Sequence, residues 1–305
     1  MSTRHINYHP GKLLRFVRKL VWFLTVYLPP QRAVTISTRN GVLTFNSKDK
    51  TTGRNLFVHR NHEFDEMMGC VEQLKQEGCL PQGKGRVVLD VGGYIGMSST
   101  AFLLDDVFEK SVAFEPFPDS YLLLQKNIDN NRLQGRLLAH NMALSDAEGS
   151  LNFELSEKNY GDHRIRSEQH NQSNAFAEHK RHVITVRAAR LDDLDSSQLG
   201  VDKNQIDLVW MDIQGHEARF IKGASKFFSE YSHVPVIMEF WPYAIKRSGI
   251  SRQEFLDLVA GLFSGYFVYE NGKLNYFSMD NLGSYFDEQD GPHRGSSIIL
   301  CNKPE

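Results

Sequence analysis

Cysteine is scarce in this chain: Cys70, Cys79 and Cys301 are the only three in 305 residues. No two of them form a C-x-x-C pair and the odd count leaves one over, which argues against a zinc site and against a secreted disulfide framework. A reducing cytoplasm is the expected setting. Long apolar runs are missing as well. The uncharged stretch at residues 20–28 is far short of the roughly 20 residues that span a bilayer, and no small-residue cleavage site follows it. Acidic residues are absent from the first 39 positions, which hold seven Lys or Arg, so the remainder carries 28 basic against 37 acidic residues. Without a broad basic face on that remainder, nucleic acid is not an expected partner.

The basic front reads as a helix over residues 12–28, with Leu13, Phe16, Val17, Leu20, Val21, Phe23 and Leu24 at helical spacing and Pro29-Pro30 ending it. Such a helix suits peripheral contact with an anionic membrane, a protein partner, its own catalytic domain or a second subunit of a homo-oligomer. Apolar runs at residues 34–37 and 42–45 around Asn40-Gly41 predict a hairpin, and residues 66–77 a helix. Pro81 and the Gly83-Lys84-Gly85 hinge then mark a boundary, giving an N-terminal accessory region, 1–82, and a second domain, 83–305.

The richest segment follows. An apolar strand, Val87-Val88-Leu89, runs into Asp90-Val91-Gly92-Gly93-Tyr94-Ile95-Gly96, where glycines let the main chain bend sharply and approach a ligand. Ser98-Ser99-Thr100 suits a helix start, with a helix expected over residues 101–110. A second strand, Val112-Ala113-Phe114, ends in Glu115-Pro116, where an acid takes ribose hydroxyls in open α/β sheets. The dinucleotide pattern G-x-G-x-x-G fails in both registers, at Val91 and at Tyr94, which disfavours nicotinamide dinucleotides and an oxidoreductase. The spacing Asp90-x-Gly92-x-x-x-Gly96 suits adenosine carrying an amino acid, with no pyrophosphate to seat: S-adenosylmethionine.

Alternation continues with a helix near residues 120–131 and strands at 137–140, 206–211 and 234–239, which implies a parallel sheet with helices on both faces. Short runs at 266–269 and 297–300 suit an antiparallel edge. Residues 156–182 show no ordinary helix or strand. Their His163, His170, His179 and His182 are irregularly spaced beside Arg164, Arg166, Lys180 and Arg181, so no metal is expected, and the segment reads as a solvated loop or a substrate-facing lid. At the end of the 206–211 strand, Asp212 is a candidate to orient or deprotonate a substrate hydroxyl, and His216 is a competing base. His216 and Glu217 also suit an exposed first helical turn, where an acid complements the helix dipole.

Taken together, Val88-Leu89-Asp90-Val91-Gly92, Ala113-Phe114-Glu115-Pro116-Phe117-Pro118, Leu124 and Asn127, Asn141-Met142-Ala143-Leu144-Ser145, Leu191-Asp192-Asp193-Leu194, Ile206-Asp207-Leu208 and Gly215-His216-Glu217 with Gly223-Ala224 resemble the FkbM family of S-adenosylmethionine-dependent methyltransferases, over roughly residues 53–239. The resemblance implies a Rossmann-like class I methyltransferase domain with a mostly parallel seven-stranded sheet. It places methionine at the Asp90, Gly92, Gly93, Tyr94, Gly96 turn, ribose at Glu115-Pro116, and adenine at Asn141, Met142 and Ala143. It also implies O-methylation of a sugar, glycan or other hydroxylated small molecule, against the alternative of a non-catalytic cofactor-binding or assembly protein. The family often has Asn where Tyr94 stands and Glu where Gln214 stands. Gln214 cannot ionise, so any catalytic base must be Asp212 or His216.

Overall fold

In β3 (Gly85–Val91), Val87, Leu89 and Val91 pack into one apolar core while Val88 packs into another. Alternate side chains of a strand point to opposite faces, so this single strand shows a sheet covered on both sides. The computed structural model describes residues 11–27, 32–167, 180–270 and 272–303. Ahead of β3 come α1 (Lys12–Tyr27), the hairpin β1 (Ala33–Thr38) and β2 (Gly41–Asn46), α2 (Thr52–His59) and α3 (Phe64–Gln76). After it come α4 (Met97–Leu104), β4 (Phe108–Phe114), α5 (Pro118–Asn131), β5 (Leu137–His140), β6 (Ala143–Leu144), β7 (Gly149–Leu155), β8 (Arg164–Ile165) and β9 (His182–Ala189). The C-terminal part holds α6 (Ser196–Leu199), β10 (Ile206–Met211), α7 (Glu217–Gly223), α8 (Ser225–Glu230), β11 (Val236–Phe240), α9 (Pro242–Arg247) and α10 (Arg252–Ala260). It ends with β12 (Gly265–Glu270), β13 (Lys273–Ser278), α11 (Leu282–Glu288) and β14 (Ser296–Cys301).

The main sheet runs β13-β12-β14-β11-β10-β3-β4-β5. Its five strands from β11 to β5 are parallel, and β14, β12 and β13 join antiparallel. The Rossmann-like α/β class is as expected, but the sheet has eight strands rather than seven. The extra one, β13, is an edge strand whose Lys-Leu-Asn-Tyr-Phe-Ser sequence is mostly exposed, so it lacks the buried run that marks the others. A second sheet, β6-β9-β7-β8, stands beside it. It also replaces part of the structureless stretch expected at 156–182, where a 3-10 turn (Tyr160–Asp162) and β8 lie. His170, His179 and the expected helix end at Leu28 with Pro29 and Pro30 fall outside the described residues. Helix α4 stops at Leu104, short of the expected Lys110, because Asp106 turns left-handed at φ 60° and β4 begins at Phe108.

The N-terminal layer is joined to the main-sheet part by two asparagines one helical turn apart on α5. Asn127 accepts from the Thr44 N–H at 2.6 Å and donates to the Thr44 and Ile95 carbonyls at 3.1 and 2.8 Å. Asn131 pairs likewise with both main-chain groups of Val42, at 2.8 Å each. Two side chains thus complete the outer edge of β2 where a strand would otherwise be needed. Ile95, from the glycine turn, shares a buried cluster with Trp22, Leu43, Phe45 and Leu56.

Candidate active site

The glycine turn is shaped from below. Asp90, at the buried end of β3, accepts from Ser99 Oγ at the start of α4, and burial pushes its carboxyl up to about 6. Gly92 adopts φ 91°, and a Cβ there would overlap the Asp212 carbonyl oxygen, so glycine brings the β3 and β10 loops together. The Gly92 and Gly93 N–H groups both donate to the Phe114 carbonyl, at 3.0 and 2.9 Å, while Gly96 donates to Gly93 at 2.7 Å. Tyr94 is left-handed at φ 47°; its N–H donates to Glu115 Oε2 at 2.9 Å and its hydroxyl to Asp49 Oδ2 at 2.7 Å.

Glu115 sits at the end of β4, buried, with Oε1 taking the Phe117 N–H at 2.8 Å. Each carboxylate oxygen therefore holds one main-chain donor and keeps a second lone pair. Burial pushes this carboxyl up to about 8. Glu115 and Pro116 line a cavity with Gly92, Tyr94, Ala143, Asp212 and His216. Phe153, Tyr160 and His163 close its far side, where the His163 ring meets the Phe117 ring edge-on at 4.9 Å. His163 accepts from the Ser156 N–H at Nδ1, 2.9 Å away, and burial pulls it down to about 4.

That roof is held by buried charge. Arg164 donates to Glu154 at 2.7 Å and to Asp162 at 2.8 Å, and Arg181 donates to the Asp162 carbonyl at 2.8 Å and to its carboxylate. Arg164 and Arg181, expected on a solvated loop, are buried because two acids neutralise them in place. Removing one member of such a set leaves an unpaired buried charge, at a cost of about 3–5 kcal/mol.

Asn141 and Met142 stand outside the lining of this cavity. The Asn141 amide donates to the Glu115 and Pro116 carbonyls at 2.9 and 3.1 Å, so it fastens the end of β5 to the end of β4. Ala143 lines the cavity from β6.

Asp212 lines both this cavity and a second, larger one, and is itself exposed to that space. Desolvation by the surrounding protein pushes its carboxyl above the ordinary range. Gln214 Nε2 donates to Asp212 Oδ1 at 2.7 Å and to Glu239 Oε2 at 2.8 Å. Glu239, at the end of β11, is likewise pushed well up by burial and by the Asp212 charge. Sequence reasoning passed over Glu239; its position at the carboxyl end of a parallel strand was the available signal. The second cavity is walled by Thr52, Asn55, His62 and Glu63 from the N-terminal layer, facing Tyr94, Gln214 and Glu239.

His216 and Glu217 are buried rather than exposed. His216 Nε2 is 2.8 Å from Ser145 Oγ, and burial pulls the imidazole down to about 4. The Glu217 carboxylate reaches back to accept from the Ile213 and Gly215 N–H groups, at 3.3 and 3.1 Å, and so braces the loop that carries Asp212.

Among known proteins, residues 90–263 match the model of the methyltransferase FkbM domain. The 2-O-methyltransferase NoeI of Sinorhizobium fredii is 28% identical over 164 residues, which cover 48% of this chain and 63% of that protein. A solved methyltransferase FkbM from Methylobacillus flagellatus aligns with a TM-score of 0.38 at 14% identity, over 93% of this chain and 59% of that one. The TrmK of M. capricolum, solved in complex with S-adenosyl-homocysteine, aligns with a TM-score of 0.30 at 11% identity, over 76% and 68%. The strand order above, and not these distant superpositions, defines the fold. The domain match takes in more than half of the chain, and the chain belongs to the methyltransferase FkbM domain family.

Proposed function

We propose that the chain is an S-adenosylmethionine-dependent methyltransferase acting on a hydroxyl of a neutral or cationic polyhydroxylated acceptor, such as a sugar or glycan. The observation that carries this reading is the wall shared by the two cavities, formed by Gly92, Tyr94, Gly161 and Asp212. One cavity holds the cofactor and the other the acceptor, so methyl and hydroxyl meet at Asp212. When bound, the cofactor supplies an electrophilic methyl on a sulfonium.

The smaller cavity suits that cofactor on three counts. Glu115 retains a lone pair on each oxygen for a ribose diol, the aromatic roof offers a flat surface, and the glycines permit close approach of the main chain. The larger cavity presents Glu63, Asp212 and Glu239 as acids, with no Lys or Arg among the described residues that line it. Carboxylates accept hydrogen bonds from hydroxyls and repel phosphate or carboxylate groups. Thr51, Thr52, Asn55, His62, Glu63 and Met67 act in this scheme as the outer wall of the acceptor site.

Asp212 takes the proton of the attacking hydroxyl, helped by a carboxyl raised above its ordinary range by desolvation. Gln214 keeps Asp212 and Glu239 in place without adding a third charge. His216, neutral and engaged with Ser145, positions the loop. Oxygen methylation is carried over from the 2-O-methyltransferase relative. The remaining chemistry is alignment of the partners about 3 Å apart in a water-poor site.

The test is transfer of labelled methyl to neutral sugars, amino sugars and sugar phosphates, with wild type and Asp212→Asn. Neutral or amine-bearing sugars should be methylated, and the variant should lose about 10²- to 10⁴-fold in turnover with unchanged cofactor affinity. Preference for phosphorylated acceptors, or full turnover by the variant, contradicts the reading.

A further inference from the structure

Helix α1 is mounted with its apolar half outward. Trp22 is 3% exposed, packed on Phe45 and Phe57 with ring centroids 6.0 and 5.3 Å away, and Arg18 donates to the Val58 carbonyl at 3.1 Å. At 100° per residue, Lys12, Arg15 and Lys19 lie on the same side of the helix as Trp22. The opposite half carries Leu13, Phe16, Val17, Leu20, Val21 and Leu24, of which Leu13 is 78%, Phe16 65% and Leu20 54% exposed. Six large apolar side chains facing outward on one helix form a contiguous patch, which a freely soluble surface does not maintain.

The charge around this patch says what covers it. Residues 1–39 contain seven Lys or Arg and no acid, while the rest of the chain has an excess of acids. Burial first, and then the nearby charges of Arg15, Lys19, Arg54 and Arg18, hold the imidazole of His59 on α2 below its usual range, so a cationic cluster lies beside the patch. A second copy of the same face would bring two such clusters together at a repulsive cost, whereas anionic headgroups would neutralise them. The helix has 16 residues, about 24 Å at 1.5 Å each, against a hydrocarbon core of about 30 Å, and no helix among the described residues is long and apolar enough to cross a membrane.

We infer that α1 lies in the plane of an anionic lipid surface, with its Leu and Phe side chains among the acyl chains and its Lys and Arg at the headgroups, and tethers the catalytic body through Trp22. Lys and Arg stems suit this geometry because they reach along apolar surface to keep their charge in the polar layer. The inference stands on α1 alone and does not depend on the methyltransferase reading.

The test is sedimentation of the full chain with phosphatidylcholine vesicles containing phosphatidylglycerol, beside vesicles of phosphatidylcholine alone. The chain should bind the anionic vesicles, and less as salt rises. Paired Phe16→Asp and Leu20→Asp should abolish binding, and paired Lys12→Gln and Lys19→Gln should weaken it roughly 20- to 30-fold. All four positions are exposed, so melting temperatures should match wild type. Absence of binding, equal binding to neutral vesicles, or retention of binding by the Asp variant overturns the inference. So does a lipid-free dimer that the same Asp substitutions convert to monomer.

Discussion

The Tyr94 hydroxyl donates a 2.7 Å hydrogen bond to Asp49 Oδ2, tying the glycine turn to the N-terminal layer across 45 positions of chain. Asp49 also accepts from the Thr51, Thr52 and Gly53 N–H groups, so one buried carboxylate both starts α2 and fixes the tyrosine that separates the two cavities. Tyr94→Phe keeps the ring and removes only this bond. Hydrogen bonds to charged groups are worth about 1.5–3 kcal/mol. Chemical denaturation should show a loss of that order, and cofactor affinity should fall with it. Wild-type stability and affinity in the variant would show that the turn is held without Asp49.

Asn127 gives a larger effect. Its amide serves the Thr44 N–H, the Thr44 carbonyl and the Ile95 carbonyl at once, in a buried place. Asn127→Leu fills the space but strands all three main-chain groups, each costing about 1–3 kcal/mol when buried unpaired. The expected destabilisation is at least about 3 kcal/mol by urea unfolding. A loss below about 1 kcal/mol would mean that the N-terminal layer is attached by its apolar cluster alone.

Much of this was legible in the sequence. The Asp90 to Gly96 turn and Glu115 announce themselves because strand, acid and glycines are contiguous and the chemistry is local. The tie between Tyr94 and Asp49, and the one that Gln214 makes to Glu239, were not legible, since each joins segments that only tertiary folding brings together. Strand β9 had a readable signal in the β-branched residues Val183, Ile184, Thr185 and Val186, obscured by the histidines around it. His216 and Glu217 misled for a different reason. Their polarity suggested solvent, yet hydrogen bonds to Ser145 and to the Asp212 loop make their burial tolerable.

Glu217 carries a pH signature. Burial first, with Asp212 adding repulsion, raises its carboxyl to about 7 from an ordinary value near 4.5. A carboxyl raised on folding leaves full stability at pH below the unfolded value, and stability is lost as pH rises toward the folded value. Glu217→Gln keeps an oxygen for the Ile213 and Gly215 N–H groups and cannot ionise. The variant should therefore match wild type near pH 4 and exceed it by about 1–3 kcal/mol above pH 8. A difference that does not change with pH would show that Glu217 is not raised in the folded protein.

In the proposed function, Glu115 and the glycine turn hold the adenosine cofactor of a methyltransferase. Calorimetric titration of the full chain with S-adenosylhomocysteine, beside NAD, tests it most directly. Micromolar binding of S-adenosylhomocysteine and not of NAD is expected, weakened about 10-fold or more by Glu115→Ala through loss of two hydrogen bonds to the ribose. Binding of NAD, failure to bind S-adenosylhomocysteine, or an affinity untouched by the Glu115 substitution would contradict it.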